Sequence, residues 1–163
     1  MSAFKDGDGP SGPVGCLIVV CGLPGSGKTT KARRLAAQRR AVRLDPDDWL
    51  AALAANIWDA AMRRRIEALQ WGVAKDLLRV GATVIVEWGA GRDERDAMRM
   101  EARECGASVE LHYVHATLDE LWRRIKARNR EDPPITRCDL EGCSRYFQVP
   151  DDAEMRLYDP PVD

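Results

Sequence analysis

No apolar run in this sequence approaches the roughly 20 residues that a membrane-crossing helix needs, and no internal repeat or low-complexity block interrupts it. An excess of one charge is also missing. The 25 Lys and Arg residues stand against 26 Asp and Glu, a formal net charge of -1, so no global basic field draws in nucleic acid or an anionic membrane. Aromatic residues make up only 6% of the chain and are not interleaved with Lys and Arg as a nucleic-acid stacking platform requires. The five cysteines are an odd number, and no signal-peptide pattern stands before the first apolar run, so reduced thiols in a cytoplasmic setting are expected. Cys138 and Cys143, with His112 and His115 elsewhere, lack the second cysteine pair of most structural zinc sites.

What is present begins with Gly22-Leu23-Pro24-Gly25-Ser26-Gly27-Lys28-Thr29-Thr30, which follows the apolar Cys16–Cys21 and opens a run of helix formers. This is the G-x-x-x-x-G-K-[ST] phosphate loop. Glycines let the backbone approach phosphate oxygens and turn its N–H groups inward as a nest. The following helix start favours an anion. Lys28 supplies a point charge for the β/γ-phosphates, and the Thr29 hydroxyl is placed to ligate Mg²⁺. A plain Gly/Pro turn would not fall between a buried-strand pattern and a helix pattern.

The 163 residues fit one domain. Residues 1–13, rich in Gly, Pro, Ser and Asp, read as a disordered tail. Residues 14–150 form the domain, and 151–163 form an acidic, proline-bounded C-terminal tail. Strand patterns over 14–21, 41–44, 83–86 and 109–114 alternate with helix patterns over 28–40, 46–55, 59–80, 93–105 and 117–131. The expected fold is therefore α/β, a parallel sheet between two helix layers, with ligands at the carboxyl ends of the strands. The helix over 59–80 is expected to bury Met62, Ile66, Leu69, Val73, Leu77 and Val80. Thr117 and Glu120 have capping-box spacing, and 139–147 reads as a last short helix.

Three carboxylate positions follow strands. Asp47 could take a proton from an acceptor hydroxyl or hold Mg²⁺ through water; the alternative is that Asp45, Asp47 and Asp48 merely cap and charge a helix start. Glu87, ending a buried strand, needs a partner such as Mg²⁺ or a substrate hydroxyl, or else solvent. Arg123, Arg124, Arg128 and Arg130 end a helix before Pro133-Pro134. They suit either a lid that reaches the β/γ bridge or the helix macrodipole alone. Arg92 and Arg95 could bind an anionic or polyhydroxylated acceptor, or pair with Asp93, Glu94 and Asp96. Trp88 is the acceptor-stacking candidate.

The phosphate loop, Leu44-Asp45-Pro46-Asp47-Asp48-Trp49, Glu87-Trp88-Gly89, Arg92-Asp93-Glu94-Arg95-Asp96 and Arg124-x-x-x-Arg128-Asn129 together resemble a bacterial group of small P-loop kinase-like proteins. That group is similar to zeta toxins, chloramphenicol phosphotransferase and polynucleotide 5′-kinases. The resemblance spans most of residues 14–150. It implies a P-loop NTPase fold with about five parallel strands, use of ATP and Mg²⁺, and phosphoryl transfer to an alcohol. In its terms Asp47 matches the Asp of a Ser/Asp pair after the second strand, and Asp45 stands near the hydroxyl member. Glu87 is one methylene longer than the usual Asp, and the lid, about 124–138, presents Arg124 and Arg128. The expected partners are a nucleotide and a small hydroxylated acceptor such as an antibiotic, nucleoside or sugar, with nucleic acid disfavoured. A nucleotide-binding module or slow ATPase signalling to a partner protein is the competing reading.

Overall fold

The structure, a computed structural model, describes residues 14–128 and 133–162. The tail expected over 1–13 and the lid residues Asn129 and Arg130 lie outside the described residues. Strand β1 (Cys16–Cys21) is buried along its whole length, as an apolar strand with neighbours on both sides must be. It pairs in parallel with β3 (Thr83–Val86) and β4 (Ser108–Tyr113), and β3 pairs with β2 (Val42–Leu44), so the order is β2-β3-β1-β4.

Alternation along β1 sends Leu17, Val19 and Cys21 to one face and Cys16, Ile18 and Val20 to the other. Helices α3 (Ala60–Arg79) and α4 (Arg92–Glu104) cover the first face through Ala74, Leu78, Met98 and Ala102. Helix α1 (Lys28–Arg39) covers the second through Ala32 and Leu35. Each fully buried Leu, Ile or Val contributes roughly 1.5–3 kcal/mol, so β1, apolar on both faces, anchors both layers. Helix α2 (Pro46–Ala52) follows β2 and packs on α3. Helices α5 (Leu118–Arg128) and α6 (Arg137–Tyr146) share a small apolar cluster of Leu121, Ile125 and Leu140 near the phosphate loop.

Three expectations need correction. The sheet has four strands among the described residues where about five were expected. The open edge of β4 is met by the chain's own end: Asp159 N–H donates to Val109 O (2.8 Å), and the Asp159 carboxylate accepts from Val109 N–H (2.6 Å). Pro160 and Pro161 carry no N–H, so the segment cannot continue as a ladder. Residues 151–162 are accordingly no tail, because α7 (Asp152–Met155) buries Glu154, and Tyr158 joins the main core. On α3 the buried row is Ile66, Gln70, Ala74 and Leu78, which keeps Ile66 of the expected stripe and runs one residue off it from Gln70 onward, and Leu69 (64%) and Val80 (72%) are exposed. Gln70 earns its interior place by donating to Asp45 O at 3.1 Å, a bond that no hydropathy pattern shows.

Between β4 and α1 lies a buried polar cluster. The Glu110 carboxylate accepts from Arg39 (3.0 Å) and is 2.9 Å from His112 Nε2. Burial alone would push the Glu110 pKa up, but the hydrogen bonds from His112 and Arg39 together hold it below the usual 4.5. A carboxylate with a depressed native pKa stabilises the fold above the unfolded value, and that contribution is lost as pH falls through the native one. Thermal unfolding followed from pH 6 to pH 3 should therefore show a falling midpoint. Glu110→Gln should flatten that fall and cost about 1–3 kcal/mol at neutral pH; an unchanged acid slope would remove Glu110 from the account.

Candidate active site

The loop between β1 and α1 is shaped by its glycines. Gly27, the residue before α1, sits at φ 101° in the left-handed region, where a side chain is strained, and it brings no side-chain cap to the helix. The first amides of α1 are thus left to point into the loop. Gly25 passes under α5, where an added Cβ would stand 2.9 Å from Leu121 O. Ser26 N–H donates to Leu23 O, closing the turn, while the buried Ser26 Oγ has no partner among the described residues. Lys28 Nζ folds back to Leu23 O at 3.2 Å, and burial, the largest influence, lowers its pKa against the opposing charges of Asp47, Glu87 and Asp45. Uncapped amides, an orphaned hydroxyl and a desolvated ammonium in one concave turn fit a polyphosphate anion.

Thr29 is the second residue of α1, and its Oγ1 donates to Glu87 Oε2 at 2.9 Å across 58 residues of sequence. Glu87 is buried at the carboxyl end of β3. A hydroxyl and a carboxylate are hard oxygen donors, the set Mg²⁺ selects. The other Glu87 oxygen is held by Arg43, which also bonds Asp45 (3.0 Å) and Asp48. Arg43, in the middle of β2, was not among the expected site residues, although its same-face spacing to Asp45 (i, i+2) is a visible sign. Several acids beside it raise the Arg43 pKa despite burial.

Asp45 is the N-cap of α2, accepting from Asp47 N–H at 3.0 Å, and burial followed by the Glu87 and Asp47 charges pushes its pKa up to about 6. The capping alternative therefore describes Asp45 better than a substrate contact does. Asp47 differs. Its side chain is 65% exposed and bonds Arg63 of α3, a second residue that the sequence reading passed over.

The two arginine pairs separate. Arg124 Nη1 donates to Ser26 O at 3.2 Å, so α5 brings a guanidinium onto the phosphate loop, and the Arg128 charge reaches Lys28. The Glu120 backbone N–H donates to Thr117 Oγ1 (3.3 Å), but the Glu120 carboxylate holds Arg123 and Arg124 instead of closing the box. The reciprocal capping box occurs at Thr136 and Asp139, opening α6. Arg95 is no acceptor ligand: it is fully buried, its guanidinium taken by Glu154, Gly89 O, Ala90 O and Gln148 O. Arg92 stays at the surface, paired with Asp151 (3.4 Å) and Asp96 (3.8 Å). Trp88 packs half-buried on the main core and is not among the described residues that line the cavity at the loop. Helix α6 and the Trp58 loop instead wall a cavity of about 450 Å³ that opens onto Gly22, Leu23 and Pro24.

A parallel sheet in an α/β sandwich, with this loop at the end of its central strand and acids beside it, defines a P-loop kinase-like fold. Residues 17–150 match the model of the AAA domain family, and the chain belongs to that family. Among solved structures it is similar to a chain of the Pnkp1/Rnl/Hen1 RNA repair complex (TM-score 0.71, 20% identity). That match covers 91% of this chain and 47% of the other, so this chain spans about half its length. It is also similar to Kti12 of Chaetomium thermophilum in complex with ADP-AlF3 (TM-score 0.69, 22% identity, 88% of this chain and 86% of that one). The APS kinase CysC of Mycobacterium tuberculosis in complex with AMPPNP and APS is a third (TM-score 0.60, 23% identity, 76% and 78%). No curated protein matches the sequence. Among the described residues, no helix is long and apolar enough to cross a membrane.

Proposed function

We propose that the chain is an ATP-dependent phosphotransferase that moves the γ-phosphoryl group of ATP to a hydroxyl of a small molecule. The observation that carries this reading is the 450 Å³ cavity opening onto Gly22, Leu23 and Pro24, since a nucleotide switch needs no second chamber at its phosphates. In this reading the α1 amides and Lys28 bind the β- and γ-phosphates. Thr29 and Glu87 would hold Mg²⁺, with Asp47 reaching it through water; the ion, when bound, neutralises charge on the phosphate oxygens. Arg124, already on Ser26 O, reaches the moving phosphoryl group from α5, and Arg128 follows when the lid closes. Asp47, exposed and paired with Arg63, accepts the acceptor's hydroxyl proton at a carboxylate oxygen. The five cysteines are free, which supports a reducing cytoplasmic setting.

The test is ATP turnover by the purified chain with and without a library of hydroxylated compounds. Turnover that rises only with an acceptor supports the kinase; acceptor-independent hydrolysis moves the reading to a nucleotide-binding module acting through a partner. Asp47→Asn should leave ATP affinity within about twofold and lower acceptor-dependent kcat by about 10²–10⁴-fold, the usual range for a positioned base. Unchanged kcat would return Asp47 to the helix start.

A further inference from the structure

The cavity wall carries information about the acceptor beyond its mere presence. It is apolar and aromatic: Leu23 and Pro24 come from the phosphate loop, Trp58 from the segment before α3, and Tyr146 and Phe147 from the end of α6. Among the described residues no Lys, Arg or His lines it, and the one carboxylate there, Asp139, is engaged at Thr136 in the capping box of α6. The described cations whose charges reach Cys143 of the wall, Lys28 and Arg63, are engaged elsewhere, as is Arg92. Arg63 is held by Asp47 and Glu67, Arg92 by Asp96 and Asp151, and Lys28 lies inside the phosphate loop. An acceptor carrying a carboxylate or phosphate would leave that charge desolvated against aromatic rings, a cost of several kcal/mol without a partner.

Two further details show a wall arranged to receive a ring. Phe147 is stacked on Tyr113 (centroids 5.8 Å, 21° between planes), and Trp58 is tethered through Nε1 to Pro133 O at 3.3 Å, so both rings are held in place. Tyr146 stands at the mouth, 83% exposed and without a hydrogen bond among the described residues. Gly142 sits in the middle of α6, where a glycine costs about 0.5–1 kcal/mol relative to alanine. It lines the cavity, and a Cβ placed on it would meet no atom within 4 Å. The helix thus forgoes a side chain just where one would fill the chamber.

We propose that this cavity takes an uncharged alcohol bearing a planar ring, such as a nucleoside or an aryl alcohol, rather than a sugar acid or a polynucleotide. The proposal rests on the phosphotransferase reading. The ring lies between Trp58 and the Tyr146–Phe147 pair, and its hydroxyl arm points past Pro24 toward Lys28 and Asp47. Aromatic contacts of this kind add roughly 0.5–1.5 kcal/mol beyond the area they bury.

The test uses the full chain with ATP and four acceptors: adenosine, 4-nitrobenzyl alcohol, gluconate and a 5′-hydroxyl oligonucleotide. Products are read by mass spectrometry. One of the two neutral ring alcohols should be phosphorylated with kcat/KM at least about tenfold above gluconate and the oligonucleotide, a difference of about 1.4 kcal/mol. Gly142→Leu fills the chamber at a helix position that favours leucine. It should raise KM for that alcohol about tenfold or more while ATP affinity by calorimetry stays as in the parent. Alkylation of Cys138 and Cys143, which both line the cavity, reports occupancy without turnover, and the neutral alcohol should slow it.

Preference for gluconate or the oligonucleotide, or an unmoved KM in Gly142→Leu, overturns the proposal. Transfer to the neutral alcohol without protection of the cysteines overturns it too. Protection of the cysteines with ATP bound but no transfer upholds the cavity's preference and removes the phosphotransferase reading. Neither protection nor transfer removes both.

Discussion

Replacing Arg95 by methionine is expected to lower stability by about 3–5 kcal/mol, the usual result of removing one member of a buried ion pair. At about 2–4 °C per kcal/mol for a chain of this size, the melting midpoint should fall by roughly 10 °C. The arginine is fully buried, and each of its five N–H groups has an acceptor. Nε and Nη2 meet the Glu154 carboxylate at 2.7 and 2.9 Å, Nη1 meets Gly89 O and Ala90 O at 2.9 and 3.2 Å, and Nη2 also meets Gln148 O at 2.8 Å. Methionine leaves Gly89 O, Gln148 O and a buried carboxylate without the arginine, while Ala90 O keeps the Gln148 N–H. Much of the loss is the desolvated Glu154, so Arg95→Met with Glu154→Leu should recover a large part of it, whereas Glu154→Leu alone should not be mild. Urea unfolding of the three variants decides this. Additive losses in the double variant would mean that the pair is not coupled.

That cluster also shows why part of the structure was hidden in the sequence. Arg95 stands in Arg92-Asp93-Glu94-Arg95-Asp96, a run of charges with acidic neighbours at hand, and the local rules pair it there. Its real partner lies 59 residues later, in a segment that reads as a proline-bounded tail. Glu110 and Arg43 are of the same kind, being charges inside strands with a partner far along the chain, Arg39 for the first and Glu87 for the second. The phosphate loop was legible because its requirements are local: glycines at particular φ values and a helix start within eight residues. The strand pattern was legible for the same reason, since a run buried on both faces needs no alternation. The row on α3 slipped by one residue because Leu69 and Val73 are apolar yet exposed, while Gln70 is polar yet bonded inside. Hydropathy measures what a side chain prefers; the backbone oxygen of Asp45 decided where this one went.

At the site the same division holds. Residues attached directly to the loop, Lys28 and Thr29, could be placed by spacing. Residues that meet through the sheet could be proposed only as candidates, and the fold sorts them: Glu87 reaches Thr29, Arg124 reaches Ser26 O, Asp45 is absorbed as a cap and Arg95 as a buried tie. The tie also bears on the site. By holding Gly89 O and Ala90 O it pins the loop that follows Glu87 and forms one wall of the cavity.

Lys28→Met is expected to reduce phosphoryl transfer by at least about 10²–10³-fold, the cost of deleting one preorganised charge at a reacting oxyanion. The same change should hold or raise the stability of the ligand-free chain. Burial lowers the Lys28 pKa below its ordinary 10.5, so the unfolded chain holds that proton more tightly than the native one. Below the native value both states are protonated and the full penalty opposes folding. It fades only as pH rises through the native value towards 10.5. Methionine removes the penalty and keeps the apolar stem, a case of a functional group held at the expense of stability. Scanning calorimetry separates the two effects. With MgATP at 100 times its dissociation constant the parent should gain about 2.7 kcal/mol, or roughly 5–11 °C, and the variant should gain almost none. A variant that melts lower without ligand, yet still shifts with MgATP, would place the ammonium in the fold's framework and outside the phosphate site.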